Sequence, residues 1–143
     1  MGNRNGTIIL ITPILADSLE IPGIGTARDN KLILLKIDSF PFMTFQWSSI
    51  PKEHRNGDTG FATWQVQMLN DIRVRLVEYS PGYKADHWCH KGHVLFCMEG
   101  EMDTELEDGR IMKLTAGMVY MVGDNNEPHR SSTKKGCKLF IVD

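Results

Sequence analysis

The sequence predicts an all-β domain, built as an antiparallel sandwich or barrel. From residue 61 onward, short runs of β-forming residues alternate with turn residues every 8–12 positions. Asp108-Gly109 separates two such runs, and this dipeptide is a strong hairpin signal. No helical period extends over eleven residues in this region. Short strands at this spacing are typical of all-β sandwiches and barrels.

These runs give eight predicted strands, each ending where turn-forming residues begin. The first two end at Asn70-Asp71 and Pro81-Gly82, and the fourth and fifth are separated by Glu99-Gly100. The predicted strands are Phe61–Leu69, Ile72–Ser80, Ala85–Cys89, His93–Met98, Met102–Leu106, Arg110–Leu114, Met118–Val122 and Cys137–Val142.

In the second of these strands, apolar residues at positions 72, 74 and 76 alternate with Arg73 and Arg75. Because side chains two apart share one face of a strand, we expect the apolar set to face the core, with Glu78 in phase with it. Glu78 is then either a general acid or base with a raised pKa or the partner of an arginine. Arg73 and Arg75 would lie on the opposite face, where they either clamp a carboxylate substrate or are solvated.

The overall composition argues against several classes of protein. With 16 basic and 18 acidic residues, the 143-residue chain has a formal net charge of −2, which is unlike a basic nucleic-acid-binding stripe. No run approaches the roughly 18 consecutive apolar residues that a membrane-spanning helix needs. Cys89, Cys97 and Cys137 are an odd number without paired spacing, which favours a reducing, cytoplasmic location. We therefore expect neither a nucleic-acid nor a membrane partner.

The N-terminal part of the chain differs in composition from the rest. All twelve aromatic residues lie between Phe40 and Phe140, and all five histidines and three cysteines lie beyond residue 50. We expect residues 1–36 to be an extension or leader, either partly disordered or packed as edge strands, and residues 37–143 to form a single domain. The run Lys31–Asp38 is a candidate strand.

Three of the five histidines fall within seven residues, at His87, His90 and His93. If Ala85–Cys89 is a strand, His87 and Cys89 share a face, and His93 opens the next strand beside them. His129 follows 36 residues later, and a barrel can bring it to the same cavity. Imidazole and thiolate groups suit zinc, iron, copper or nickel. The sequence therefore predicts a metal site from these residues, with His90 in the turn as a solvent-exposed bystander.

The stretch from Gly82 to His129 resembles the cupin superfamily. The first motif of that family is G-x5-H-x-H-x3,4-E-x6-G, and the second contains P-x-G-x2-H. The motif histidines fall on His87 and Cys89, the motif glutamate on His93, and the closing Pro-His on Pro128-His129. Four residues separate Gly82 from His87 rather than five, and a cysteine and a histidine replace two of the usual ligands.

A closer resemblance is to the DHCW-motif cupin-fold proteins, a small bacterial group without an assigned reaction. The four letters correspond to Asp86-His87-Trp88-Cys89, and the resemblance covers about residues 37–143. It implies a cupin-type antiparallel β-barrel, or jelly roll, preceded by an N-terminal extension. It also implies a homodimer.

The resemblance implies a divalent metal ion held by His87, Cys89, His93 and His129, with zinc, iron, manganese and nickel all compatible. A small organic molecule would bind in the barrel pocket, and the protein would be a metal-dependent isomerase or dioxygenase. The alternative is a non-enzymatic ligand-binding or sensor module of the same fold without a catalytic metal. Tyr120 lies on the strand that leads to His129 and, with Glu78, is a candidate catalytic residue.

Overall fold

The structure, a computed structural model, describes residues 40–143. The predicted extension, residues 1–36, and the candidate strand Lys31–Asp38 lie outside the described residues. Over the described part, one 3-10 helix at Trp47–Ser49 is followed by eight strands. They are β1 (Glu53–Asn56), β2 (Phe61–Leu69), β3 (Ile72–Tyr79), β4 (His93–Leu106), β5 (Ile111–Thr115), β6 (Val119–Val122), β7 (His129–Ser132) and β8 (Cys137–Val142). The predicted all-β class is confirmed.

The longest strand, β4, pairs with four others. Its first part pairs with β6 and β8 and its second part with β5 and β7, always antiparallel. On the far side of β8 the order continues through β3 and β2 to β1. A register shift between Cys97 and Glu99 and a φ of 78° at Gly100 mark a β-bulge in β4. The predicted break at Glu99-Gly100 is therefore a bulge within one strand rather than a turn between two.

The predicted strand Ala85–Cys89 is wrong. The chain bends at Asp86 and His87, and near it only Lys84 and Cys89 form isolated bridges to other parts of the sheet. The side chains of Asp86 and His87 contact each other instead of following a strand ladder. Without a continuous ladder, the rule that alternate residues share a face does not apply to this segment.

The two faces of β3 are the reverse of the predicted arrangement. Val77 is fully buried in the core and Arg75 is only 6% exposed, so these positions face inward and Glu78 faces outward. Leu76 is apolar although it lies on the outer face of β3, because that face is also covered. Its position in the alternation therefore predicted the wrong face as the inner one. Its neighbour on β2, Gln65, donates hydrogen bonds to carbonyl groups of the segment that contains the 3-10 helix. Both faces of this strand are therefore covered, and alternation alone does not identify the inner one.

The core packs against the inner face of the sheet that β3, β8 and β4 form. Val77, Leu139 and Cys97 are neighbours across these three strands, and all three are fully buried. One register step away, Arg75, Ile141 and Leu95 form the next inward row. This second row leads to the polar end of the barrel interior, where the chemistry-bearing side chains lie.

Candidate metal centre

Three potential metal ligands meet inside the barrel: Cys89, His93 and His129. Their ligand atoms all lie within 4.8 Å of one another. The Nε2 atoms of the two histidines are 3.2 Å apart. Both histidines are buried and Cys89 is half-buried. This is a compact group of two imidazoles and one thiol, shielded from solvent on the histidine side.

Cys89 is held beside His129 by a pair of backbone hydrogen bonds. The Cys89 N–H donates to the His129 carbonyl at 2.7 Å, and the His129 N–H donates to the Cys89 carbonyl at 3.1 Å. This isolated bridge brings the loop after residue 84 to the beginning of β7. The backbone thus fixes the thiol and one imidazole next to each other, independently of the side chains.

The third ligand is positioned by the turn that precedes β4. The Gly92 N–H donates to Asp124 Oδ1 at 2.7 Å, which joins this turn to the loop before β7. A Cβ atom at Gly92 would lie 2.6 Å from the Asp124 backbone nitrogen, so a side chain does not fit there. The close approach of the two loops therefore requires glycine immediately before His93.

Hydrogen bonds orient both imidazole rings. His129 Nδ1 lies 2.8 Å from the Glu127 carbonyl oxygen, so it donates and leaves the Nε2 lone pair directed at the cluster. His93 Nε2 lies 2.8 Å from the Tyr120 hydroxyl, a hydrogen bond that a metal ion on the same nitrogen would replace. The Nδ1 atom of His93 is buried and has no hydrogen-bond partner among the described residues.

The pKa of one thiol is lowered by its surroundings, whereas the pKa values of the other two are raised. The neighbouring His129 and His93 rings lower the pKa of Cys89 to about 5. Burial lowers the pKa of His129, but the hydrogen bonds and charges of Cys89 and Glu127 together raise it by more, so the net shift is upward. Burial raises the pKa of Cys97, and it raises the pKa of Cys137 to about 12. Cys89 is therefore the thiol that is ready to act as a thiolate ligand at neutral pH.

Comparisons with known proteins identify the fold. No protein-family model matches the chain, and no curated protein does so. Among solved structures, the polyketide cyclase RemF from Streptomyces resistomycificus superposes with a TM-score of 0.59 at 20% identity, over 71% of this chain and 78% of that one. A sugar phosphate isomerase of the cupin superfamily from Silicibacter pomeroyi gives a TM-score of 0.56 at 16% identity, over 70% and 74%. A cupin domain from Schizosaccharomyces pombe gives 0.56 at 9% identity, over 69% and 71%.

The fold is that of the cupins. The predicted cupin-type barrel is confirmed for the described residues, and at these identities the likeness concerns the fold alone. Over the same part of the chain, no helix is both long enough and apolar enough to cross a membrane.

The donor set of this cupin barrel fits a metal ion. Tetrahedral zinc with Zn–N distances of about 2.0–2.1 Å separates two nitrogen ligands by roughly 3.3 Å, and the two Nε2 atoms are 3.2 Å apart. His129 has the outer hydrogen bond to a carbonyl that metal-bound histidines normally make. A zinc ion held by these three groups would keep a fourth position for water or another ligand.

The structure does not bring His87 to this cluster. Its side chain is 72% exposed, and its Nδ1 atom lies 2.6 Å from the Asp86 carboxylate. The bend at these two residues turns His87 outward, and the next residue but one, Cys89, reaches the histidines instead. His90 and His54 are exposed, the latter stacked on Phe61.

The two candidate catalytic residues have different locations. Glu78 lies on the outer surface, where its carboxylate is 3.4 Å from the Lys52 ammonium and 3.8 Å from that of Lys138. Its ion-pair partners are thus lysines, and it is remote from the barrel interior. Tyr120 is directed inward, with its hydroxyl next to His93, and burial raises its pKa so that it stays protonated.

An ion-pair cluster near the candidate metal ligands involves the two arginines that the sequence places on a solvated or substrate-binding face. The Arg73 guanidinium makes two hydrogen bonds to the Asp143 carboxylate, at 2.8 and 2.7 Å. Arg75 Nη2 donates to the same carboxylate at 2.6 Å. Both arginines are in phase with Val77 and Tyr79, and this second alternation is the signal in the sequence that could have identified them as inward-facing.

Proposed function

We propose that this cupin barrel binds a divalent metal ion through Cys89, His93 and His129, and that a small organic molecule binds at the metal. The observation that carries the proposal is the meeting of one thiol and two imidazoles, with all ligand atoms within 4.8 Å of one another. Such a set with one open position is suited to binding a substrate oxygen.

Of the metals compatible with the fold, zinc suits this donor set best. Thiolate ligands favour zinc over the harder ions, and manganese prefers oxygen ligands. When bound, zinc acts as a Lewis acid that polarises a substrate oxygen and carries no redox chemistry. We therefore favour an isomerase-type proton transfer over a dioxygenase reaction.

Tyr120 is one described residue at the site that can donate or accept a proton. Its hydroxyl is 2.8 Å from His93 Nε2, and burial keeps it protonated at neutral pH. A phenol in this position can donate a hydrogen bond to a ligand oxygen that develops negative charge. We assign it the role of proton donor or positioning group, while Glu78, on the outer surface, is not part of this proposal.

We infer that the chain belongs to the DHCW-motif group, on the basis of the resemblance described above. The four motif residues make distinct contacts: Asp86 pairs with His87, the guanidinium of Arg130 lies 4.5 Å from the Trp88 ring centroid, and Cys89 joins the two histidines of the cluster. All three cysteines are free, which agrees with a cytoplasmic location, and we propose this location as well.

We also propose a homodimer. The outer face of β4 and β6 exposes five neighbouring apolar side chains: Val94, Phe96, Met98, Val119 and Met121. An apolar patch of this kind on a soluble protein is typical of an interaction surface. A second copy of the chain is the occupant that we propose for it.

The metal proposal is tested by elemental analysis of the purified full-length protein and of single variants. We expect about one zinc equivalent per chain in the wild type, and loss of that zinc in His93→Ala and His129→Ala. His87→Ala is the matched control, because it removes a nearby histidine outside the cluster, and we expect it to retain the metal. No metal in any preparation, with unaltered ligand binding in the variants, would favour the non-enzymatic binding module instead.

A further inference from the structure

Arg75 is a buried cation whose hydrogen-bonding capacity is only partly used. The residue is 6% exposed, and its Nη2 atom donates to Asp143 at 2.6 Å. Its Nε atom is buried and has no hydrogen-bond partner among the described residues. Buried donors in folded proteins are nearly always paired, so the N–H group at Nε indicates an acceptor that lies outside the described residues.

A second unpaired donor belongs to the side chain next to Arg75. The Arg75 guanidinium carbon lies 4.7 Å from the centre of the Trp64 ring. The indole Nε1 of Trp64 is also buried and, within the described part of the chain, has no partner. Indole N–H and guanidinium N–H groups are donors only, so any shared partner must be a hydrogen-bond acceptor.

The charges around Arg75 favour an acceptor that is negatively charged. Arg73 and Arg75 share a single carboxylate, that of Asp143, whose side chain is 1% exposed. The Arg73 side chain is 34% exposed, so water shares its charge, whereas Arg75 is buried and shares this one carboxylate with Arg73. The charge of the Cys89 thiolate also acts on both guanidinium groups, and a metal ion bound to Cys89 would take up that charge. Buried charges are normally paired, because desolvating an unpaired one is costly. A monoanion would complete this group.

Arg75 lies at the same end of the barrel as the proposed metal ligands. On the inner face it is followed across the sheet by Ile141 and Leu95, and His93 is the next inward residue of β4. Leu95 also pairs with Tyr120, whose hydroxyl contacts His93. The Arg75 charge also acts on Tyr120 and interacts with Cys89, so the guanidinium faces the same part of the barrel interior as the proposed metal ligands.

We propose that Arg75 and Trp64 form an anion subsite that binds the carboxylate group of a small organic acid. A buried guanidinium that shares its carboxylate with a second arginine, together with two unpaired N–H donors, matches one carboxylate with its two oxygens. The proposal rests on the proposed function only in that another oxygen of the same acid would face the metal. It narrows the substrate class of the site from small organic molecules to carboxylic acids.

The test compares lactate with lactamide, a neutral molecule of nearly the same shape. Binding of each to the full-length protein is measured by isothermal titration calorimetry, in zinc-loaded and in metal-free samples. We expect lactate to bind at least about tenfold more tightly than lactamide in both samples, because the subsite discriminates by charge. Equal affinity for the two molecules in both samples would overturn the proposal.

Two conservative variants locate the subsite. We expect Trp64→Phe, which keeps a ring and removes the N–H donor, and Arg75→Lys, which keeps the charge and removes Nε, each to weaken lactate binding about tenfold. Lactamide binding should not change. Arg55→Lys is the matched control, because its guanidinium carbon lies 4.6 Å from the same ring while its side chain is exposed. A loss in this control as large as in Trp64→Phe would overturn the assignment, and circular dichroism checks that each variant is folded.

The metal-free sample separates this inference from the metal proposal. If no metal binds but lactate is still preferred over lactamide, the metal proposal fails and the anion subsite stands. If zinc binds and the two molecules have equal affinity, the subsite fails and the metal proposal stands.

Discussion

The two ends of the barrel interior are built from the same strands but have opposite chemistry. At one end, Val77, Leu139 and Cys97 form a fully buried apolar row across β3, β8 and β4. At the other end, the inward positions of the same strands include Arg75 and His93. Along these same strands, the inward side chains change from packed apolar groups to polar groups that contact one another.

The thiols make the difference between the two ends measurable. At the packed end, burial raises the pKa of Cys137 to about 12. At the polar end, two neighbouring imidazoles lower the pKa of Cys89 to about 5. The same side chain is therefore an inert packing group in one place and a thiolate in the other, and its neighbours decide which.

The largest expected effect comes from Asp143→Asn at the polar end. Among the described residues, Asp143 is the only carboxylate that contacts the buried Arg75. Because the change removes it, we expect the free energy of unfolding to fall by about 3–5 kcal/mol. Urea titration monitored by circular dichroism measures it. The control is Asp103→Asn, whose pair with Lys113, at 3.3 Å, is exposed on the lysine side and contributes about 0–1 kcal/mol.

The same ion pair gives the stability a defined pH dependence. Burial raises the pKa of Asp143. The hydrogen bonds of Arg73 and the charge of Arg75 lower it by a larger amount, so the net shift is downward. A carboxyl with a depressed folded-state pKa contributes its full stability above the unfolded-state value of about 3.9. That contribution is lost as the pH falls through the folded-state pKa. Equal losses of stability on acidification in the wild type and in Asp143→Asn would contradict this assignment.

A substitution at the packed end is expected to have a somewhat smaller effect. Leu139→Ala creates a cavity in the fully buried row, and such changes cost about 2–5 kcal/mol. Zinc affinity should stay within a factor of about three once the variant is folded, since Leu139 is remote from the ligands. Ile111→Ala, at a position that is 65% exposed and outside the proposed dimer patch, is the control with little expected loss.

Alkylation of the metal-free protein compares the thiols directly. At pH 7 an ordinary thiol is about 3% thiolate, whereas Cys89 is almost fully ionised, so we expect about a thirtyfold larger thiolate fraction. The iodoacetamide reaction, followed by mass spectrometry, should modify Cys89 and leave Cys97 and Cys137 intact. Its rate should fall by half near pH 5. A midpoint near pH 8.5 would contradict the proximity of the imidazoles.

The smallest expected effect on folding lies outside the barrel. Met121 is 76% exposed on the outer face of β6, and Met121→Glu should change the free energy of unfolding by less than about 0.5 kcal/mol. If a second copy covers this face, the buried charge should shift sedimentation velocity from dimer to monomer. Lys113→Glu, away from the apolar patch, is the control. A wild type that is monomeric at all concentrations would sink the dimer proposal.

The sequence predicts a strand's inner face correctly only where apolar and polar residues alternate regularly along that strand. The hairpin at Asp108-Gly109 and the strands around it are predictable, because turn chemistry and periodicity agree. On β4, buried positions alternate with exposed ones, but the exposed Val94 and Phe96 are also apolar, so polarity alone does not assign the faces. On β3, apolar residues also lie on both faces, and the predicted inner face was therefore the outer one. Tertiary packing on the outer face decides these cases.

The sequence predicts which residue types form the candidate site, histidine and cysteine, but identifies only some of the individual residues correctly. His93 and His129 follow from the motif spacing, and Tyr120 follows from its strand. The relative roles of His87 and Cys89 depend on a bend that strand periodicity cannot reveal. The inward-facing Arg75 and Trp64 carry no motif, since their significance lies in unpaired buried donors that exist only in the folded chain.

The central claim, that the thiolate of Cys89 and two imidazoles form one metal site at the polar end, is tested most directly by cobalt substitution. We expect one Co²⁺ per chain to produce a thiolate-to-cobalt charge-transfer band in the near-ultraviolet absorption spectrum, together with the intense visible bands of tetrahedral cobalt. The band should persist in His87→Ala and disappear in Cys89→Ser. A cobalt-loaded wild type without the charge-transfer band, or a band that survives in Cys89→Ser, would contradict the account.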